Sequence, residues 1–127
     1  MRALPARLLV VTDRRLARAP LEDVIADALA GGARWIWLRD RDLPRDARHA
    51  LGRRLLALCA AAGATLSVGG DATDVLAIGA RAAHASAGVD VRALRAALGP
   101  RALIGVSAHG ADELRRARDA GADYATL

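Results

Sequence analysis

Five short segments of the sequence carry the residue types that handle phosphate. They are Thr12-Asp13-Arg14-Arg15, Arg39-Asp40-Arg41, Gly69-Gly70-Asp71, His84 with Ser86, and Ser107 with His109. Guanidinium groups grip phosphate oxygens two at a time, and hydroxyls add neutral donors. A carboxylate can hold a divalent cation, and an imidazole can carry a proton near neutral pH. Brought together, these groups suit an anionic, phosphorylated small molecule, with Mg²⁺ as its companion ion.

Such groups must be positioned by regular elements, and the apolar periodicity supplies them. Leu8–Thr12 is a β-branched run, and Leu21, Val24, Ile25, Ala28 and Leu29 then recur at helical spacing. Trp35–Leu38 reads as a second strand, followed by a helix that starts near Pro44 and carries Leu51, Leu55, Leu58 and Ala62 on one stripe. Further on come strands at Thr65–Val68, Ala82–Ser86, Ala102–Ser107 and Tyr124–Leu127, separated by helices over Thr73–Ile78, along Val91, Leu94 and Leu98, and over Ala111–Ala120. Gly-Ala pairs at Gly32, Gly63, Gly79 and Gly121 each follow a helical stripe, where a left-handed helix end favours a residue without Cβ. Strict β-α alternation implies a parallel sheet with helices packed outside it, either an open doubly wound sheet or a (β/α)8 barrel. No G-x-G-x-x-G follows the first strand, which leaves a dinucleotide fold little support. Ligands gather at the carboxyl ends of the strands in both architectures, and the five segments lie there.

The composition narrows the class. The chain has 127 residues, 54% hydrophobic and 26% charged, and reads as a single α/β domain over 1–127. No apolar run reaches the roughly 20 residues that span a bilayer, and no export signal precedes Asp13. The lone Cys59 cannot form an internal disulfide, so a cytoplasmic location is expected. All 19 basic residues are arginine and the net charge is +5. Three aromatic residues offer little base stacking, and acidic residues interleave with the arginines, so nucleic acid is not the expected partner.

At this point the segments become recognisable. Val10-Val11-Thr12-Asp13-Arg14, Leu38-Arg39-Asp40-Arg41-Asp42-Leu43, Gly70-Asp71-Ala72-Thr73-Asp74-Val75, Ile104-Gly105-Val106-Ser107-Ala108-His109 and Gly121-Ala122-Asp123-Tyr124 resemble, in order and spacing, the thiamine phosphate synthase and thiazole tautomerase superfamily. The resemblance implies an α/β fold of the TIM-barrel type. It implies an enzyme of thiamine biosynthesis, a transferase that couples hydroxymethylpyrimidine pyrophosphate to thiazole phosphate and releases pyrophosphate. Arg39 and Arg41 would hold that pyrophosphate, Ser107 would contact phosphate, Asp71 would ligate Mg²⁺, and His109 would be the acid/base of the tautomerase branch.

The pattern departs from the family at several positions. Arg41 stands where the family has Lys, Trp37 where it has a pyrimidine-contacting Gln, Gly70 where it has Asn, and Val89, beside Asp90, where it has a second Asp. The chain stops at Leu127, inside strand six, so five to six β-α units of an incomplete barrel are expected. Its first and last strands would then carry unpaired backbone groups, which a homo-oligomer could cover. A degenerate, non-catalytic phosphate-binding module needing a partner to complete the barrel is the alternative, beside a tautomerase-like isomerase.

Each candidate also has a plain structural role to fill. Arg39 and Arg41 can pair with Asp40 and Asp42, Asp71 can cap the helix after it, and Asp13 and Arg14 can pair with each other. His84 is expected to pack at a strand end, His49 to be solvated, and Cys59 to sit in the core. Trp35 and Trp37 share a strand face, as core or as a stacking surface for ligand.

Overall fold

The computed structural model describes residues 3–127, so Met1 and Arg2 of the expected 1–127 domain lie outside the described residues. Six strands alternate with five helices: β1 (Val10–Val11), α1 (Leu21–Ala30), β2 (Trp35–Leu38), α2 (Arg45–Ala61), β3 (Thr65–Gly70), α3 (Ala72–Ile78), β4 (Ala82–Ala85), α4 (Val91–Leu98), β5 (Leu103–Ser107), α5 (Ala111–Ala120) and β6 (Tyr124–Thr126). All pairings are parallel and the strand order is the chain order, β1 to β6. This is a curled, barrel-like α/β arrangement of the TIM-barrel type. β1 is shorter than the Leu8–Thr12 run, with only Val10 and Val11 paired to β2.

Local chemistry sets the boundaries. Pro20 and Pro44 precede α1 and α2, where a missing N–H costs nothing. Asp71 caps α3 in a reciprocal box with Asp74, and Asp90 caps α4. The glycines of all four Gly-Ala pairs have φ between +66° and +109°. These four α-to-β joints therefore use the positive-φ glycine expected from the sequence, whereas the fifth, between α4 and β5, turns at Gly99 with φ +87° and ψ 175°.

Alternation along the strands divides the side chains between two faces. Ile36, Leu38, Leu66, Val68, Ala83, Ala85, Ile104 and Val106 point to the helices and form the main core with Leu21, Ile25, Leu55 and Leu94. Cys59 is buried there, and burial pushes its thiol up to about 11, so it is a core residue and not a nucleophile. The concave face carries Trp35, Trp37, Ser67, Gly69, His84, Gly105, Ser107, Tyr124 and Thr126. On that face Trp35 packs with Ala82 and Leu103, its ring 5.0 Å from that of Tyr124 in an edge-on arrangement.

Gly69, His84, Gly105 and Tyr124 lie side by side across β3, β4, β5 and β6. The two glycines make room for the rings. A Cβ on Gly69 would come within 2.9 Å of the Trp37 indole nitrogen, and one on Gly105 would collide with the Tyr124 ring. Gly105→Ala is therefore expected to cost about 1–3 kcal/mol by overpacking. Gly31→Ala, where a Cβ meets only ordinary contacts at 3.5 Å, serves as the near-neutral control. Equal urea midpoints for the two variants would refute the close fit.

Candidate functional site

The carboxyl ends of the strands bring most of the expected residues to one rim. Arg39 follows β2 directly, Asp71 follows β3, and Ser107 ends β5. Arg39, Asp40, Arg41 and Asp42 line a pocket of about 290 Å³ with Thr12, Asp13 and Arg15 from the end of β1. A larger open groove lies at the opposite end of the sheet, lined by Arg81, Arg95, Arg101 and Arg118 among others, and none of the expected site residues borders it.

The β2 rim segment is pinned by a small polar circuit. Thr12 Oγ1 donates to Asp40 Oδ2 at 2.6 Å and accepts from the Arg39 N–H at 2.9 Å, while the Arg14 N–H donates to Asp40 Oδ1 at 2.8 Å. Asp40 is buried and is the one non-glycine residue with positive φ among those described, at +21°. Its two carboxylate bonds hold that uncommon backbone in place. Arg48, buried in α2, donates from beneath to the carbonyls of Leu38, Arg39 and Gly69, bracing the ends of β2 and β3. The sequence points to Asp40 only as an ion partner for the neighbouring arginines, and it does not single out Arg48. A buried arginine that serves backbone carbonyls leaves no mark in an apolar pattern.

The circuit decides what Arg39 and Arg41 are free to do. The expected pairing with Asp40 and Asp42 does not form, because Asp40 is taken by Thr12 and Arg14, and Asp42 pairs with the Arg14 guanidinium. The expected Asp13–Arg14 pair does not form either: Asp13 bonds Arg15. Arg39 and Arg41 are exposed, and among the described residues neither makes an ion pair. The Arg39 guanidinium lies 5.6 Å from the centre of the Trp37 ring, a cation–π contact that aims it over the concave face.

Trp37 in turn stacks on His84, with ring centres 3.7 Å apart. His84 is fully buried, as expected for a packed residue, yet it is the hub of a polar network. Its Nδ1 lies 3.0 Å from the Tyr124 hydroxyl and its Nε2 3.0 Å from Ser107 Oγ. Burial, then the charges of Arg41 and Arg39, push its pKa down to about 4, and its ring is neutral at pH 7. That both arginines act on His84 ties the β2 rim to β4 and β5.

Asp71 and His109 sit differently. The Asp71 carboxylate caps α3 by accepting the Asp74 N–H at 3.1 Å, and lies 3.5 Å from Arg45. No cluster of three metal-ligating side chains occurs among the described residues. The donor set is thus a single half-exposed carboxylate, which suits an ion held chiefly by phosphate oxygens and water. His109 is exposed, and both its N–H and its Nδ1 face Glu113 of the following helix. His49, expected to be solvated, is buried between α2 and α3 and bonds Asp74 at 2.8 Å.

Comparison with known proteins adds a separate line of observation. The family model described as thiamine monophosphate synthase matches residues 8–127. The thiamine-phosphate synthase of Roseiflexus sp. (strain RS-1) is 38% identical over 120 residues, 93% of this chain and 51% of that protein. That of Moorella thermoacetica is 37% identical over 116 residues, 91% of this chain and 55% of that protein. Among solved structures, a thiamine phosphate pyrophosphorylase from Pyrococcus furiosus superposes with a TM-score of 0.82 at 28% identity, over 92% of this chain and 57% of that one. The chain spans about half the length of the curated relatives it matches.

Proposed function

Because the chain belongs to the thiamine monophosphate synthase family of thiamine biosynthesis, we propose that its rim binds the pyrophosphate of hydroxymethylpyrimidine pyrophosphate and promotes coupling to thiazole phosphate. The observation that carries this reading is the pair of exposed guanidinium groups at the end of β2, held on a braced backbone and left without acidic partners. Arg39 and Arg41 would grip the pyrophosphate, and Ser107 would donate to a phosphate oxygen. Negative charge grows on the pyrophosphate as its bond to the pyrimidine methylene breaks, and two guanidinium groups at the rim would stabilise that charge more than the ground state. Asp71 would hold Mg²⁺ together with the pyrophosphate oxygens, and the ion, when bound, supplies further neutralisation of the leaving group. The pyrimidine carbocation left behind is captured by the thiazole nitrogen. The setting we infer is cytoplasmic, with small phosphorylated substrates and no nucleic acid; self-association along the open sheet edges is compatible with it. No helix among the described residues is long and apolar enough to cross a membrane.

Calorimetry with inorganic pyrophosphate, with and without Mg²⁺, tests the site. Arg39→Ala and Arg41→Ala are each expected to weaken binding by about 10- to 100-fold, the loss of a charge-assisted pair. Absence of heat from the unaltered protein in both conditions would refute the site. Product formation from both phosphorylated precursors separates the synthase from a phosphate-binding module that binds without turnover. The tautomerase-like alternative rests on His109, which Glu113 orients. In that case His109→Ala would abolish thiazole isomerisation and leave pyrophosphate binding unchanged.

A further inference from the structure

The hydrogen bonds of the concave face have directions that the chemistry of their donors fixes. The Trp35 indole can only donate, and its Nε1 lies 3.0 Å from Ser67 Oγ. Ser67 therefore accepts there. The Tyr124 hydroxyl, beside the Trp35 ring, lies 3.0 Å from His84 Nδ1. A phenol kept neutral by burial needs an acceptor for its proton, and that nitrogen supplies it.

A neutral imidazole carries one ring proton. With Nδ1 accepting, that proton is on Nε2, 3.0 Å from Ser107 Oγ. Thr126 Oγ1 donates to the same oxygen at 3.3 Å. Ser107 Oγ thus receives two donors, both its lone pairs are used, and its own proton is left for whatever lies above the exposed end of β5. Trp37, stacked on the imidazole, keeps the ring plane in line with both partners.

We propose that Tyr124 and His84 form a one-way relay that makes Ser107 an obligate donor toward phosphate oxygens, with His84 and Tyr124 as its positioning residues. The opposite polarity would spend the Ser107 proton on His84 and turn oxygen lone pairs toward an anion, which repels it. The proposal deepens the reading in which Ser107 meets the pyrophosphate, and it assigns work to His84 and Tyr124, neither of which need touch the ligand.

The ring proton can be observed directly. Long-range ¹⁵N–¹H correlation spectra distinguish the two neutral tautomers, and His84 is identified among three histidines by its proximity to the sole tyrosine. The unliganded protein is expected to show the Nε2–H form, and Tyr124→Phe, which removes the donor to Nδ1, to show a mixture. An Nδ1–H ring in the unaltered protein, or an unchanged tautomer in Tyr124→Phe, overturns the relay. In pyrophosphate titrations, His84→Leu is expected to weaken binding about tenfold. His84→Gln, which keeps a donor facing Ser107, should recover most of that loss. Equal affinities for the Leu and Gln variants would also overturn it. The tautomer is read without ligand, so failure of the unaltered protein to bind pyrophosphate would sink the proposed function alone.

Discussion

Asp123→Ala is expected to lower the stability of the protein by about 3–5 kcal/mol, the range for removing one partner of a buried charge pair. Asp123 is buried just before β6, and its Oδ2 accepts from the Ile104 N–H at 2.9 Å and from Arg95 at 2.8 Å. Arg95 also donates to the carbonyls of Gly99, Ala102 and Gly121. One carboxylate thereby ties α4, β5 and the approach to β6 into a single joint. Without it, a β5 amide is left bare in the interior and a largely buried guanidinium loses its counter-charge. Asp123→Asn keeps an acceptor for the amide and should be milder than Ala, which separates the hydrogen bond from the charge. Urea unfolding measures both, and an Ala variant within 1 kcal/mol of the unaltered protein would remove the joint from the account.

Acid should loosen the fold well before its carboxylates protonate. His84 has an ordinary pKa near 6.5 in the unfolded chain, whereas in the folded protein burial and the Arg41 and Arg39 charges hold it at about 4. Between those values the unfolded chain binds a proton that the native state refuses. The stability associated with neutral His84 is fully present above about pH 6.5, and it declines as pH falls until the folded ring protonates near pH 4. At about 1.4 kcal/mol per pH unit, the loss is on the order of 3 kcal/mol. Asp74 adds to it at lower pH. Burial alone would raise the Asp74 carboxyl, but the His49 hydrogen bond, the Asp71 N–H and the Arg45 and Arg48 charges outweigh that and lower it. Its contribution is present above the ordinary carboxylate range and is lost below it. Urea unfolding at a series of pH values should show the slope between pH 6.5 and 4, and His84→Gln, which cannot titrate, should flatten it. An equally steep slope in that variant would place the acid sensitivity elsewhere.

The sequence made the scaffold legible because its signals are local. Apolar runs of four to six residues, helical stripes and a glycine at each α-to-β joint all act within a few positions of themselves, and Asp71 caps α3 as its place before Ala72 suggests. What depended on partners far along the chain was not legible. His49 lies away from the Leu51 and Leu55 stripe, yet α2 packs against α3 as well as the sheet, with Gly52 close against Ile78. The face that reads as solvent is therefore an interface. His84 reads as packing because its partners, Ser107 and Tyr124, come 23 and 40 residues later. Asp40 reads as a counter-ion for its neighbours, whereas Thr12 and Arg14, from the segment after β1, claim it. The candidate ligand groups themselves stood out, since arginine, aspartate and serine after a strand are visible wherever the strand ends are.

Strand order that follows chain order also bears on how the molecule is made. Each strand pairs only with those before and after it in the chain. The edge on which each strand docks is therefore synthesised before that strand. Loop closure never exceeds one helix and its turns, which limits the delay that usually burdens parallel sheets.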